Sequence, residues 1–264
     1  MMNAKTLSDD SLLACEHENY MIFKRDSFNS SKGVMTELDC SVCNNKGFVM
    51  FLRKENGQTY ECLRKCNCSV MRDNASVVER SGLKGIIQNY TFDAFLTPSE
   101  WQENVKNLAL RYLADNNGKW FYIGGQVGSG KSHLCTAIVG EMMQNGLEAK
   151  YLMWRDETIT LRADIMSPAY RDTIHKLKTV RVLYIDDFFK TEHKKTPSAA
   201  EINIAFEILN FRYNNSECIT IISSEKHIYE INKIDKAVGS RIIQRSKEYC
   251  INIEPDSSKN YRLL

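Results

Sequence analysis

The 264-residue sequence carries almost no charge excess: 35 Lys and Arg stand against 33 Asp and Glu, a formal net charge of +2. That balance excludes a uniformly basic nucleic-acid coat and leaves any contact with a polyanion to a local patch. Long apolar runs are also missing. None approaches the roughly 20 residues of a membrane span, so no membrane partner is expected. The opening stretch (MMNAKTLSDDSLLACEHENY) lacks the charged-then-apolar order of a secretory signal, which predicts a cytoplasmic protein. Internal repeats and low-complexity segments are absent as well. What remains, 43% hydrophobic and 26% charged, suits a globular chain. Its length allows one full α/β domain and a small accessory one.

Cysteine is the first residue type present in an informative pattern. Of nine, five fall between Cys40 and Cys68. In a reducing compartment such clustering points to a metal rather than disulfides. Cys40-x-x-Cys43 and Cys66-x-Cys68 stand at the two ends of a predicted hairpin. Its strand-like runs, 48–52 and 59–63, flank a turn-like stretch containing Asn56-Gly57. Four thiolates brought together select Zn²⁺, with an iron–sulfur cluster the lesser alternative, and the closed set suggests a structural role. Cys62 stands as a possible substitute for Cys66, and Cys15-x-His17 is a weaker candidate pair. Ahead of the hairpin, residues 1–35 read as one amphipathic helix (Leu12, Leu13, Tyr20, Phe23) and a polar loop from Ser27 to Gly33. After it, a helix is expected over 70–80.

The strongest motif is Gly125-Gln126-Val127-Gly128-Ser129-Gly130-Lys131-Ser132, a complete G-x-x-x-x-G-K-[ST] loop. Its glycines let consecutive backbone N–H groups face phosphate oxygens, Lys131 supplies a cation for the β- and γ-phosphates, and the Ser132 hydroxyl serves Mg²⁺. An apolar run at 120–123 precedes the loop. A helix-like run opening at His133 follows, stopping at Asn145-Gly146. ATP binding with Mg²⁺ is the expectation. Thr97-Pro98-Ser99-Glu100 predicts a helix capped by Thr97. Beyond the loop, strands at 150–154, 180–185, 218–222 and 249–253 alternate with helices at 156–178, from Ser198 onward and at 235–246. That alternation predicts a parallel sheet covered on both faces.

The run Val182 to Ile185 ends in Asp186-Asp187. One carboxylate would hold hydrated Mg²⁺ and the other polarise the attacking water, roles that fit Asp186 and Asp187 respectively. The next strand ends at Ser223-Ser224-Glu225, where Ser224 or Glu225 could sense the γ-phosphate. Arg241 and Arg245 share a helix face at i, i+4 spacing; a solvated basic face and an arginine finger are both open. A basic stretch carries Arg162, Arg171, His175, Lys176, Lys178 and Arg181 against Asp164 and Asp172. It could track the phosphates of a single strand, with Tyr170 and Trp154 as stacking platforms.

Taken together, these residues resemble the DnaC/DnaI-like helicase-loader ATPases, especially phage and mobile-element members with an N-terminal zinc module. The likeness rests on the cysteine hairpin leading into residues 78–83 (VERSGL) and on residues 90–95 (YTFDAF). It continues with the phosphate loop and residues 153–156 (MWRD), 184–190 (YIDDFFK), 222–226 (ISSEK) and 239–242 (GSRI). The resemblance implies an initiator-type AAA+ three-layer α/β sandwich, strand order 5-1-4-3-2, with a small zinc-binding domain ahead of it. It divides the chain into a helicase-interacting domain over 1–83 (zinc hairpin 38–69), a linker over 84–97 and an ATPase domain over 98–264.

Implied with it is an ATPase that uses ATP and single-stranded DNA to deliver a ring-shaped, DnaB-type hexameric helicase to DNA. The ATPase domain would self-associate, and its turnover would be stimulated by the strand. The 90–95 stretch, with Phe92, would line the adenine pocket, His133 would belong to the nucleotide-binding set that follows the loop, and Arg241 would act in a neighbouring subunit. The sequence runs only about twenty residues past Arg241, so a helical lid is not expected. A transposition helper ATPase of the IstB type shares such a core and stands as the alternative; the zinc hairpin argues against it. A metabolic P-loop kinase would need an acceptor pocket and lid, neither of which is evident.

Overall fold

A computed structural model describes residues 9–35, 39–55, 57–66, 68–69, 87, 89–163, 167–191 and 196–261, with side chains from 17 onward. The helix expected over 70–80, the stretch 78–83, the start of the linker at 84, Asp164 and the side chain of Cys15 lie outside these residues. The chain divides into two compact units, Met1–Arg72 and Asp73–Leu264.

The first unit joins helix α1 (Asp9–Ser30) to an antiparallel hairpin of β1 (Phe48–Glu55) and β2 (Gln58–Lys65). Ser27 to Ser30, expected as loop, instead completes the helix, because Asn29 is used as a structural clasp. Its side-chain amide donates to the Met50 carbonyl and its Oδ1 accepts from the Met50 N–H, both at 2.9 Å. Ion pairs Lys24–Glu61 and Lys54–Glu18 lie on the same side of the hairpin. Tyr20 and Phe23, expected on the buried stripe of α1, are instead 59% and 70% exposed.

The second unit is built on a parallel five-stranded sheet. Its strands are β3 (Phe121–Gly125), β4 (Ala149–Met153), β5 (Val182–Asp186), β6 (Ile219–Ser224) and β7 (Cys250–Ile253), in the spatial order β4-β5-β6-β3-β7. Numbered from the phosphate-loop strand, this is the expected 5-1-4-3-2. Side chains alternate across the sheet. Phe121, Ile123, Val182, Tyr184, Ile219 and Ile221 enter one apolar cluster with α2 (Glu100–Ala114) and α3 (Lys131–Gln144). Trp120, Tyr122, Leu183, Ile185 and Ile222 enter the other. That second cluster is covered by α4 (Trp154–Ala163), α5 (Pro168–Thr179), α6 (Ala199–Tyr213), α7 (Ile228–Ile234) and α8 (Lys236–Ser246). The result is a three-layer sandwich.

Local chemistry sets the helix ends. Ser198 caps α6 with Glu201 as its reciprocal partner, and Asp235 caps α8 by accepting from the Val238 N–H at 2.7 Å. Thr97 is not the cap of α2. The helix begins two residues later, at Ser99, whose N–H is taken by the side chain of buried Gln102 at 2.8 Å. Among the described helices none is long and apolar enough to cross a membrane.

Candidate nucleotide site and thiolate cluster

The carboxyl ends of β3, β5 and β6 converge, as a parallel sheet requires, and the turns leaving them carry the chemistry. The turn after β3 is the glycine loop. Gly125, Gly128 and Gly130 all hold positive φ, at 106°, 74° and 82°. A Cβ on Gly130 would lie 2.8 Å from the Phe95 ring, so both backbone and space demand glycine there. Gly130 delivers the chain into α3, whose amino end faces the cavity with its unpaired N–H groups. Lys131 is only 7% exposed and donates to the carbonyls of Gly125 (3.0 Å) and Gln126 (2.6 Å). Burial pulls its pKa down, although Glu225, Asp187 and Asp186 oppose that. An anion entering the loop would give this ammonium, so far bonded only to neutral carbonyls, a partner of opposite charge.

Ser132 and Asp186 meet at 2.9 Å, hydroxyl to Oδ1. Asp186 also accepts from the Tyr151 hydroxyl at 3.0 Å and from the Ser223 hydroxyl. A hydroxyl and a carboxylate fixed this way are the hard oxygen donors that suit Mg²⁺. Asp187 follows with φ of +53°, turning its side chain toward the cavity with Lys190 and Glu225. Burial raises the Asp187 pKa, partly offset by the Lys190 ammonium 2.8 Å away. Lys190 bonds Glu225 as well, at 2.9 Å, and those two bonds outweigh burial to raise its own pKa.

The cavity, about 310 Å³, runs from these acids along Val127 to His133 to an aromatic end made by Tyr90, Phe95 and Tyr261. His133 stacks on Tyr90 with centroids 4.6 Å apart and planes 7° from parallel. Burial holds His133 below its ordinary pKa, although its bond to the Thr91 carbonyl opposes that. Phe92, expected at the base, instead packs into the core beneath, while Tyr90 and Phe95 line the cavity. Ser224 is fully buried, its hydroxyl donating to the Phe188 carbonyl at 2.7 Å, whereas Glu225 lines the cavity. Sequence reasoning missed Tyr151, Lys190 and Tyr261. Tyr261 arrives from the segment after β7, which crosses the loop: its N–H donates to the Gly128 carbonyl (2.9 Å) and its hydroxyl to that of Leu96 (2.5 Å). Lys190 alone had a signal, since it ends the YIDDFFK run.

No arginine lines this cavity among the described residues. Arg241 lies on α8 with its guanidinium over the Phe206 and Tyr213 rings, donating to Asn210 Oδ1 at 3.1 Å. Arg245 serves the fold, bonding the Tyr213 and Gly118 carbonyls. In the basic stretch, Arg171, His175 and Lys176 are exposed on α5. Lys178 is paired with Glu207 at 2.6 Å, and Arg162 lies 3.7 Å from Glu201. Trp154 is not a stacking platform: it is wholly buried against Phe188 and Phe189. Tyr170 is half-buried, its hydroxyl tied to Glu207 at 2.8 Å.

In the first unit the sulfurs of Cys40, Cys43, Cys66 and Cys68 lie within 4.8 Å of one another. Cys40 to Cys66 is 3.8 Å and Cys43 to Cys68 is 3.3 Å. Four thiolates at Zn–S distances of about 2.3 Å would be spaced by roughly 3.8 Å, so the set fits that ion. Burial disfavours the Cys43 thiolate, but the Gly47 N–H at 3.3 Å and the neighbouring thiols bring its pKa down to about 6. Burial pushes Cys66 and Cys68 up. Cys62 sits within β2 opposite Phe51 and is not part of the cluster. The partner suggested for Cys15, His17, is exposed on α1.

Residues 86–245 match the family described as the bacterial DnaA ATPase domain. The phage-like element PBSX protein XkdC of Bacillus subtilis is 28% identical over 237 residues, 85% of this chain and 86% of XkdC. The replicative helicase loader DnaC of Escherichia coli K12 is 28% identical over 181 residues, covering 64% of this chain and 67% of DnaC. In fold, the chain is similar to AMPPCP-bound DnaA from Aquifex aeolicus (TM-score 0.52, 22% identity). That match covers 66% of this chain, and the chain spans about half of the DnaA chain, 52%.

Proposed function

Because the chain belongs to the bacterial DnaA ATPase-domain family, as a DnaC-like AAA+ helicase-loader homologue, we propose that it is an ATP-dependent loader of a ring-shaped replicative helicase. Single-stranded DNA is its second ligand. The observation that carries the reading is the Ser132–Asp186 contact at 2.9 Å beside buried Lys131, with Asp187 and Glu225 in the same cavity.

The glycine loop holds the triphosphate, Lys131 neutralises its outer phosphates, and Ser132 with Asp186 holds Mg²⁺, which supplies charge neutralisation at the reacting phosphate. Tyr90, Phe95 and His133 take the base. Asp187 accepts a proton from the attacking water as the water oxygen bonds the γ-phosphorus and the bond to the β-phosphate oxygen breaks, leaving ADP and phosphate. Glu225 senses the γ-phosphate. Arg241 enters the site of a neighbouring subunit, a role supported by the absence of any arginine among the cavity's described residues. Arg162, Arg171 and Lys176 contact the strand, with Lys178 at the edge of the same patch. The four-cysteine cluster binds Zn²⁺ and stabilises the helicase-binding unit. Relatives named as helicase loaders do not favour the transposition alternative.

The test is reconstitution. With ATP and Mg²⁺, the protein should form a complex with its host's or phage's hexameric helicase and place it on circular single-stranded DNA. Lys131→Ala should lose nucleotide binding and loading together. Loading that survives this variant would overturn the reading.

A further inference from the structure

Lys190 belongs to two cavities at once. It lines the nucleotide cavity, where it bridges Asp187 and Glu225, and it lines a second cavity of about 330 Å³ with Arg155, Arg162, Ser198 and Glu201. Among the described residues that line the second cavity are three cations and one carboxylate, and Arg155 has a further contact of its own. The carboxylate is already engaged, because Glu201 Oε2 accepts from both the N–H and the hydroxyl of Ser198. Arg162 contributes a donor 3.7 Å from the same oxygen. Such a set favours an anion that accepts several hydrogen bonds, and a phosphodiester is of that class. The Lys190 ammonium has three N–H donors, of which the two carboxylates take two. It is 35% exposed, so an incoming ligand can reach it.

We infer that Lys190 couples strand binding to hydrolysis: a phosphate of single-stranded DNA in the Arg155–Arg162 cavity draws on its ammonium and loosens its hold on Asp187. While the ammonium is bonded to Asp187, a carboxylate lone pair is occupied and the carboxylate is a weaker base. Sharing the cation with a phosphate reverses both effects. Lys190 is thus a positioning residue that restrains the general base until the strand arrives. The inference rests on the proposed function and adds to it the means by which one ligand controls the other.

The test compares wild type with Lys190→Ala and Lys190→Met, the latter keeping most of the stem should alanine disturb the fold. ATP turnover is measured with and without saturating oligothymidylate, and oligothymidylate affinity is measured over a salt series. Without oligonucleotide the variants should turn over ATP at the stimulated rate of wild type and gain nothing more when it is added. Their slope of log affinity against log salt should fall by about 0.7, one phosphate contact on a single strand. Variants that stay slow and still respond, that lose turnover altogether, or that keep the full salt slope overturn the inference. A wild type that binds no oligonucleotide sinks the DNA part of the proposed function and this inference together. A responsive wild type beside a responsive variant sinks the inference alone.

Discussion

Asp187 is a carboxyl group held above the ordinary carboxylate pKa, since burial raises it more than Lys190 lowers it. A raised carboxyl stabilises the fold fully below the ordinary value of 3.8, and that stability is lost as pH rises through the folded-state value. Asp187→Asn cannot ionise. The variant should therefore melt higher than the parent near pH 7, with the difference closing as the buffer approaches pH 4, while nucleotide still binds and turnover is abolished. Melting curves at the two pH values, with a nucleotide-binding assay, check both halves; equal melting temperatures at pH 7 would remove the strain argued for this acid. Sequence pattern exposed Asp187 because it ends an apolar strand after a phosphate loop. It could not expose Arg212, which on a helix reads as a solvated cation. Arg212 is in fact fully buried, donating to Thr220 Oγ1 and to the carbonyls of Leu177, Lys178, Val180 and Ile219. Those acceptors come from segments 32 to 35 residues earlier and 7 to 8 later, a convergence that only the fold creates.

At the level of elements, the hairpin depends on its ends. β1 and β2 leave Phe48, Phe51, Tyr60 and Leu63 substantially exposed, so among the described residues of the first unit the apolar core is small: Met21, Met50 and the sulfur cluster with Val49. A unit of this size without much core needs a staple, and four thiolates around an ion provide one. Cys40→Ser, or a strong chelator, should abolish the cooperative melting of the first unit, measured by hydrogen exchange of the β1–β2 amides. ATP binding by the second unit should be unchanged. Retained protection of those amides after chelation would exclude a structural metal. The cysteine spacing made this cluster legible, and the apolar strands of the sheet were legible for the same reason: each signal is local. Helix α7 was not, because seven residues give too short a period to read, and its cap is the less usual His227, whose N–H is taken by Glu230 at 2.7 Å. Nor was the passage of Tyr261 over the glycine loop, whose polar flanking sequence carries no pattern.

Across the whole molecule the unresolved charge is that of the transition state. Lys131 and Mg²⁺ can neutralise the resting triphosphate, but the cavity holds no arginine among its described residues, and its other cation, Lys190, is already shared by two carboxylates. Arg241 is held on α8 by Asn210, by the Ala237 carbonyl (2.8 Å) and by two aromatic faces, a preorganised mount that suits the role proposed for it in a neighbouring subunit. If it does, the two halves of one active site come from two chains, and defects in them must complement. Arg241→Ala keeps an intact phosphate loop but offers no arginine to its neighbour, and Lys131→Ala keeps the arginine but cannot use nucleotide. Each alone should be nearly inactive, since an arginine finger contributes about 10³- to 10⁵-fold in rate. Mixed in equal amounts under conditions that assemble the ATPase units, they should recover a substantial fraction of wild-type turnover, because half-sites pairing an intact loop with an intact arginine re-form. A mixture no more active than the average of its parts would return Arg241 to a purely structural part on its own helix.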